Sequence, residues 1–130
     1  MSRMTLLAAS LVVLFGCEAA TAQDESAAAQ GDEGAMAFNK HCRNCHSSKE
    51  GDNRIGPSLY GIYGKKAGQV SGYGKYSGAL EGITWDEATL DKFITDPQSV
   101  APGTNMVYPA VRDAAERKKV IEFLKTTSTP

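Results

Sequence analysis

The chain has 130 residues, with 14 Lys and Arg against 15 Asp and Glu and a formal net charge of −1. This length accommodates one small domain preceded by a leader. Residues 31–130 contain 13 basic and 12 acidic side chains. A domain so close to neutral lacks the clustered basic charge of a nucleic-acid-binding protein, so we expect no nucleic-acid partner.

The first 22 residues are organised like a signal peptide. Arg3 precedes a predominantly apolar run at residues 6–15, which is too short to cross a bilayer as a helix. Residues 20–22 then match the A-x-A pattern of a cleavage site. The tetrapeptide that ends at Cys17 also resembles a bacterial lipobox, whose cysteine is lipidated. Both interpretations predict export, either to the periplasm or to the membrane surface through a lipid on Cys17.

The remainder of the chain divides into a linker, one domain and a tail. Residues 23–30 have few bulky apolar side chains, which predicts a flexible linker. The folded domain is predicted to span residues 31–127, and residues 128–130 form a short tail. No second apolar run follows the leader, so contact with a membrane is expected only if Cys17 is lipidated.

Three segments of the domain show helical spacing of apolar residues. They cover about residues 32–41, 84–96 and 113–125. The second is predicted to begin at Thr84, because Thr84 and Glu87 have the spacing of a capping box. It should end before Pro97, since the residue before a proline disfavours the helical conformation. The third is predicted to begin at Asp113.

The middle of the domain, residues 51–82, is rich in glycine and shows no sustained strand pattern. A structureless loop of about 30 residues is uncommon in a compact domain. Small domains also bury proportionally little surface and often need an additional constraint. A large, flat, apolar cofactor would organise such a loop and would supply part of the core.

Residues 42–46, Cys-Arg-Asn-Cys-His, match the C-x-x-C-H signature of c-type haem attachment. Two thiols three residues apart can reach the two vinyl groups on one edge of the porphyrin, and the next residue can direct an imidazole at the iron. The sequence therefore predicts one haem c, bound covalently through Cys42 and Cys45, with His46 as an axial iron ligand. A redox-active thiol pair, a structural disulfide and a zinc site are the alternatives.

Met106 is predicted by elimination to be the second axial ligand. His41 and Met36 lie just before the attachment motif in sequence, so both belong to the side of the haem that His46 occupies. Met106 follows much later, in a loop stiffened by proline and glycine at residues 102–103, which could carry a thioether to the opposite face. The alternative is that Met106 fills a gap in the core.

The attachment motif and several flanking segments together resemble the class I cytochromes c of soluble bacterial and mitochondrial types. The likeness covers about residues 31–125, with matching segments at residues 56–59, 61–69, 82–85 and 102–106. It implies an all-α cytochrome c fold, with three main helices and glycine-rich loops wrapped around one haem. It also implies a monomeric one-electron carrier, not an enzyme, that shuttles electrons between membrane-bound or periplasmic redox complexes.

The resemblance also assigns expected roles to individual residues. The Pro57 carbonyl is expected to accept the Nδ1 proton of the axial histidine, which would fix the tautomer and orientation of the ring. Tyr76 and Trp85 match residues that hydrogen-bond a haem propionate. Gly34 and Phe38 match positions at which the first helix packs against the last one.

Three positions depart from the family pattern. Lys65 replaces a frequent arginine near a propionate, and the two side chains are not interchangeable. Phe93 replaces a tyrosine whose hydroxyl contacts the methionine sulfur, so the polarity around the sulfur and with it the reduction potential should differ. Asn105 replaces a frequent lysine, which makes the partner-facing surface less positive there.

Two functional questions stay open in the sequence. A haem enzyme or gas sensor would result if Met106 did not bind the iron. Several lysines could form a ring around the exposed haem edge, or could be scattered solvated charges. These lysines are Lys40, Lys65, Lys66, Lys75 and Lys92.

Overall fold

The computed structural model describes residues 22–128 of the chain. Its helices are α1 (Ala22–His41), α2 (Glu87–Thr95), α3 (Pro97–Val100) and α4 (Ala114–Thr126). Within this part of the chain, strand-like pairing is limited to one isolated antiparallel bridge between Lys66 and Thr84. The predicted all-α fold is confirmed, and the short helix α3 adds to the three helices that were expected.

Helix α1 begins at Ala22 instead of near Asp32. Residues 23–30, which were predicted to be a flexible linker, are therefore helical. Their low apolar content does not oppose a helix, because alanine has the highest helix propensity and an anchored helix extends without a new nucleus. The predicted signal peptide apart from Ala22, the possible lipidation site Cys17 and the last two residues of the tail lie outside the described residues.

Helix α1 packs against α4 through the two positions that the family likeness indicated. A Cβ on Gly34 would lie 3.0 Å from the Cβ of Phe123 and 3.1 Å from the carbonyl oxygen of Lys119. The rings of Phe38 and Phe123 are 5.1 Å apart, and Val120 on α4 is completely buried. The absence of a side chain at Gly34 therefore sets how closely the two helices approach.

Replacing Gly34 with alanine should lower the free energy of unfolding, although alanine normally stabilises a helix by about 1 kcal/mol relative to glycine. The added Cβ would force α4 away, at a cost of roughly 1–3 kcal/mol. Gly31→Ala is the matched control in the same helix, because a Cβ there meets nothing within 4 Å. In thermal unfolding of the two holoproteins, the Tm should fall for Gly34→Ala and should rise slightly for Gly31→Ala. Stabilisation by both substitutions would contradict this packing.

Helix α2 begins at Glu87, and the predicted start at Thr84 is wrong. Asp86 is the N-cap, since its carboxylate accepts the N–H of Thr89 at 2.7 Å. Aspartate is one of the strongest capping residues, whereas Thr84 is held in the isolated bridge. Pro97 ends α2 as predicted and also occupies the first turn of α3, where its missing N–H has no cost.

The buried apolar side chains do not form a closed core. Many of them line one open cleft. They are Ile62, Trp85, Leu90, Phe93, Ile94, Val111, Val120 and Leu124. Much of the remaining lining comes from the long segment between α1 and α2. The core is therefore continuous with the wall of the cleft, so that whatever fills the cleft becomes part of the core.

Candidate haem site

One cleft brings together the four residues that were predicted to bind the cofactor. Cys42, Cys45, His46 and Met106 all line it, and most of its surface is apolar. The cleft is open to solvent at its mouth. A concave, mainly apolar site with a few polar groups is typical of a binding site for a large apolar cofactor.

A tight turn at the end of α1 places the attachment motif on the cleft. The N–H of Cys42 still bonds the carbonyl of Phe38 at 2.8 Å, as in a continuing helix. The next turn is closed by the N–H groups of Cys45 and His46, which both donate to the Cys42 carbonyl, at 3.1 and 2.9 Å. The two cysteines and the histidine therefore follow one another on a single turn of backbone, as attachment along one porphyrin edge requires.

The two cysteines are not arranged as a redox-active pair. They are not joined by a disulfide. Burial, and to a smaller extent the charge of the nearby Cys45, raises the pKa of the Cys42 thiol to about 12. Thiol oxidoreductases instead depend on a lowered cysteine pKa. The described part of the chain also contains no group of three or more His, Cys, Asp or Glu side chains placed to hold a metal ion.

His46 is held in the tautomer that an iron ligand needs. Its Nδ1 lies 2.7 Å from the carbonyl oxygen of Pro57, which confirms the contact expected from the family. Because a carbonyl only accepts, Nδ1 must carry the proton. Burial lowers the pKa of His46, and the bond to Pro57 only partly opposes this effect. The neutral ring therefore keeps an unshared electron pair on Nε2 for a metal.

The backbone at Gly56 passes directly against the imidazole of His46. A Cβ at this position would lie 2.6 Å from Nδ1, which real side chains do not tolerate. The N–H of Gly56 also donates to the carbonyl of Cys45 at 2.7 Å. Glycine is therefore required here for close approach, and the loop fixes the plane of the ring.

Gln98 on α3 shapes the loop that carries Met106, a role that the sequence did not indicate. Its Nε2 donates to the carbonyl of Thr104 at 2.9 Å, and its Oε1 accepts the N–H of Gly103 at 3.0 Å. Gly103 has a φ of +85°, which favours glycine. Both ends of a single carboxamide therefore hold the loop.

Asn105 fixes the same loop from the other side. Its Nδ2 donates to the carbonyl of Lys75 at 2.7 Å, and Lys75 lines the cleft together with Met106. The sequence indicated only that a positive charge is lost at this position. The structure shows that the asparagine connects the methionine loop to the segment that precedes α2.

The other histidine and methionine near the motif are placed differently. Both ring nitrogens of His41 have partners, since Nε2 lies 3.0 Å from Oε2 of Glu116 and Nδ1 lies 3.4 Å from the hydroxyl of Tyr108. Met36 is 62% exposed and does not line the cleft. His41 also lines the cleft, but the partners of its two ring nitrogens, Glu116 and Tyr108, hold it away from the role of an iron ligand.

The aromatic residues expected near the propionates also line the cleft. The hydroxyl of Tyr76 accepts the N–H of Val70 at 3.3 Å, and burial raises the pKa of Tyr76. Trp85 packs on Phe93 with ring centroids 4.8 Å apart. Phe93 also lines the cleft, with an apolar ring that carries no hydroxyl. The propionate contacts of Tyr76 and Trp85 remain predictions.

Known proteins resemble the chain over this whole domain. The cytochrome c family model matches residues 31–128. Cytochrome c2 iso-2 of Magnetospirillum molischianum is 48% identical over 87 residues, which cover 65% of this chain and 89% of that protein. Cytochrome c of Arabidopsis thaliana is 39% identical over 101 residues, or 74% of this chain and 89% of that protein.

A solved structure supports the same assignment. Cytochrome cH from Methylobacterium extorquens superposes with a TM-score of 0.67 at 39% identity, over 74% of this chain and 97% of that one. The residues in the cleft fit a haem, because they include two thiols in the C-x-x-C-H spacing, a neutral imidazole and an apolar lining. The chain therefore belongs to the class I cytochromes c, carries one covalently bound haem c with its iron, and is an electron-transfer protein rather than an enzyme.

Proposed function

We propose that Cys42 and Cys45 form the thioether bonds to the haem and that His46 and Met106 are the axial iron ligands. The observation that carries this assignment is that all four line one cleft. The bound haem supplies an iron that takes up and releases one electron. With both ligands bound, no iron position would remain for a substrate, and His/Met ligation would raise the reduction potential.

We also propose that the protein shuttles electrons between membrane-bound or periplasmic redox complexes in the bacterial periplasm, as a monomer. The predicted signal peptide and the similarity to bacterial cytochromes c2 and cH support this location. None of the helices in residues 22–128 is long and apolar enough to cross a membrane. A lipid on Cys17 is the alternative, and it would hold the same domain at the membrane surface.

The mouth of the cleft is the proposed site of electron exchange with an acidic patch on the partner. Ile55 and Val107 line it and are 69% and 90% exposed. Of the five lysines considered above, Lys75 lines the cleft, whereas Lys40 is paired with Glu116 at 3.1 Å. The mouth is thus mainly apolar with limited positive charge, so electrostatic attraction should be modest.

Two inorganic oxidants of opposite charge test this charge at the mouth. Oxidation of the ferrous protein by the ferricyanide trianion should slow as salt is added, whereas oxidation by tris(phenanthroline)cobalt(III), a trication, should become faster. Lys75→Gln should slow the ferricyanide reaction roughly two- to fourfold at low salt. Lys118→Gln is the control, because Lys118 is exposed on α4 and does not line the cleft. Rates that do not change with salt, or equal rates in the two variants, would contradict the assignment.

A further inference from the structure

The peptide unit between Pro57 and Ser58 is hydrogen-bonded at both of its polar ends. Its carbonyl oxygen accepts the Nδ1 proton of His46 at 2.7 Å. Its N–H donates to Oδ1 of Asn53 at 2.9 Å. Because one delocalised amide carries both groups, each bond polarises the amide in the direction that strengthens the other. Asn53 is therefore connected to His46 through a single peptide.

Asn53 is itself fixed at the other end of its side chain. Its Nδ2 donates to the carbonyl of Ser71 at 2.9 Å, and only the NH₂ end of a carboxamide can make that bond. Oδ1 must therefore face the N–H of Ser58. The half-buried Asn53 thus connects the loop that follows the attachment motif to the segment that leads to Lys75 and Tyr76.

Ser58 has a separate set of bonds that holds the same loop. Its hydroxyl donates to the carbonyl of Lys49 at 2.6 Å and accepts the N–H of Tyr60 at 3.2 Å. The side chain of Ser58 is almost completely buried. These bonds stabilise the loop but do not involve the Pro57–Ser58 peptide, so Ser58→Ala separates loop stability from peptide polarisation.

We propose that Asn53 is a positioning residue that sets how strongly His46 donates electrons to the iron. This inference rests on the proposed ligation by His46. By accepting the Ser58 N–H, Asn53 increases the negative charge on the Pro57 oxygen and makes it a better acceptor. A stronger bond at Nδ1 makes the imidazole more basic, which favours ferric iron. Asn53 therefore holds the reduction potential below the value the protein would have without it.

The test compares three variants of the holoprotein by proton NMR of the ferrous state and by redox titration. Asn53→Ala should move the His46 Nδ1 proton upfield, because its bond weakens, and should raise the reduction potential. Ser58→Ala should lower stability and move neither. Asn53→Asp keeps an acceptor for the Ser58 N–H while losing the donor to Ser71, so its Nδ1 proton should stay at or downfield of the wild-type position. If Asn53→Ala does not accumulate, Asn53→Leu provides the same comparison, because its side chain also lacks an acceptor.

The inference is overturned if the Nδ1 proton and the potential stay unchanged in Asn53→Ala. It is equally overturned if Ser58→Ala moves them as far, or if Asn53→Asp moves the Nδ1 proton upfield as Asn53→Ala does. Failure of the proposed ligation would look different, because the wild-type ferrous spectrum would then lack the strongly upfield-shifted ring protons of an axial histidine. Normal wild-type ring protons with unchanged variants would overturn the role of Asn53 alone.

Discussion

Replacing Met106 with alanine should abolish the weak far-red absorption band that a thioether sulfur produces with ferric iron. It should also lower the reduction potential, because a soft thioether ligand favours ferrous over ferric iron. With that axial position open, the ferrous protein should bind carbon monoxide at neutral pH, which the wild type should not do. Absorption spectra of both oxidation states and a carbon monoxide titration measure these effects.

Met36→Leu is the matched control for this experiment. Met36 is 62% exposed on α1 and lies away from the cleft, so its removal should leave the band, the potential and the lack of carbon monoxide binding unchanged. A Met106→Ala protein that retained the far-red band would show that the sulfur comes from elsewhere. The interpretation as a sensor or a haem enzyme would then gain support.

Replacing both Cys42 and Cys45 with alanine should prevent stable haem binding and leave the domain largely unfolded. Eight core residues form the wall of the cleft, so without a haem this side of the core has nothing to pack against. A domain of this size has only about 5–15 kcal/mol of stability to lose. Each single substitution should leave one thioether and a lower yield of holoprotein. Haem content after acidified-acetone extraction and circular dichroism measure the two effects.

Cys17→Ser is the control for the cysteine substitutions, since Cys17 lies in the predicted leader. It should change neither haem attachment nor folding, and it separates a lipid anchor from the attachment chemistry. A doubly substituted protein that kept all its haem through extraction would show that the thioethers are not at Cys42 and Cys45.

Parts of the fold were predictable because their signals are local. Asp113 precedes α4, and its carboxylate accepts the N–H of Ala115 at 2.8 Å, as its position before an apolar periodic segment indicated. The predicted start of α2 was wrong because Thr84 and Asp86 are both capping residues, and Thr84 is held by a bridge to the distant Lys66. The early start of α1 was missed because low apolar content was interpreted as disorder.

At the haem site, too, local sequence signals were predictable and contacts between distant residues were not. Cys42, Cys45 and His46 form a contiguous motif, so both their chemistry and their placement could be predicted. Met106 could be proposed only by eliminating other residues of the right type. Gln98 and Asn53, whose side-chain amides bond the loops next to Met106 and His46, belong to no sequence motif. Their roles depend on partners that only the folded chain brings together, such as the Ser71 carbonyl opposite Asn53.

The intact mass of the purified, exported protein tests covalent haem binding at this cleft most directly. After unfolding in acid and treatment with iodoacetamide, the mass should equal that of the mature polypeptide plus one haem, without alkylation at Cys42 or Cys45. The same spectrum would report the leader cleavage site and any lipid on Cys17. A mass equal to the polypeptide alone, with both of these cysteines alkylated, would contradict covalent attachment.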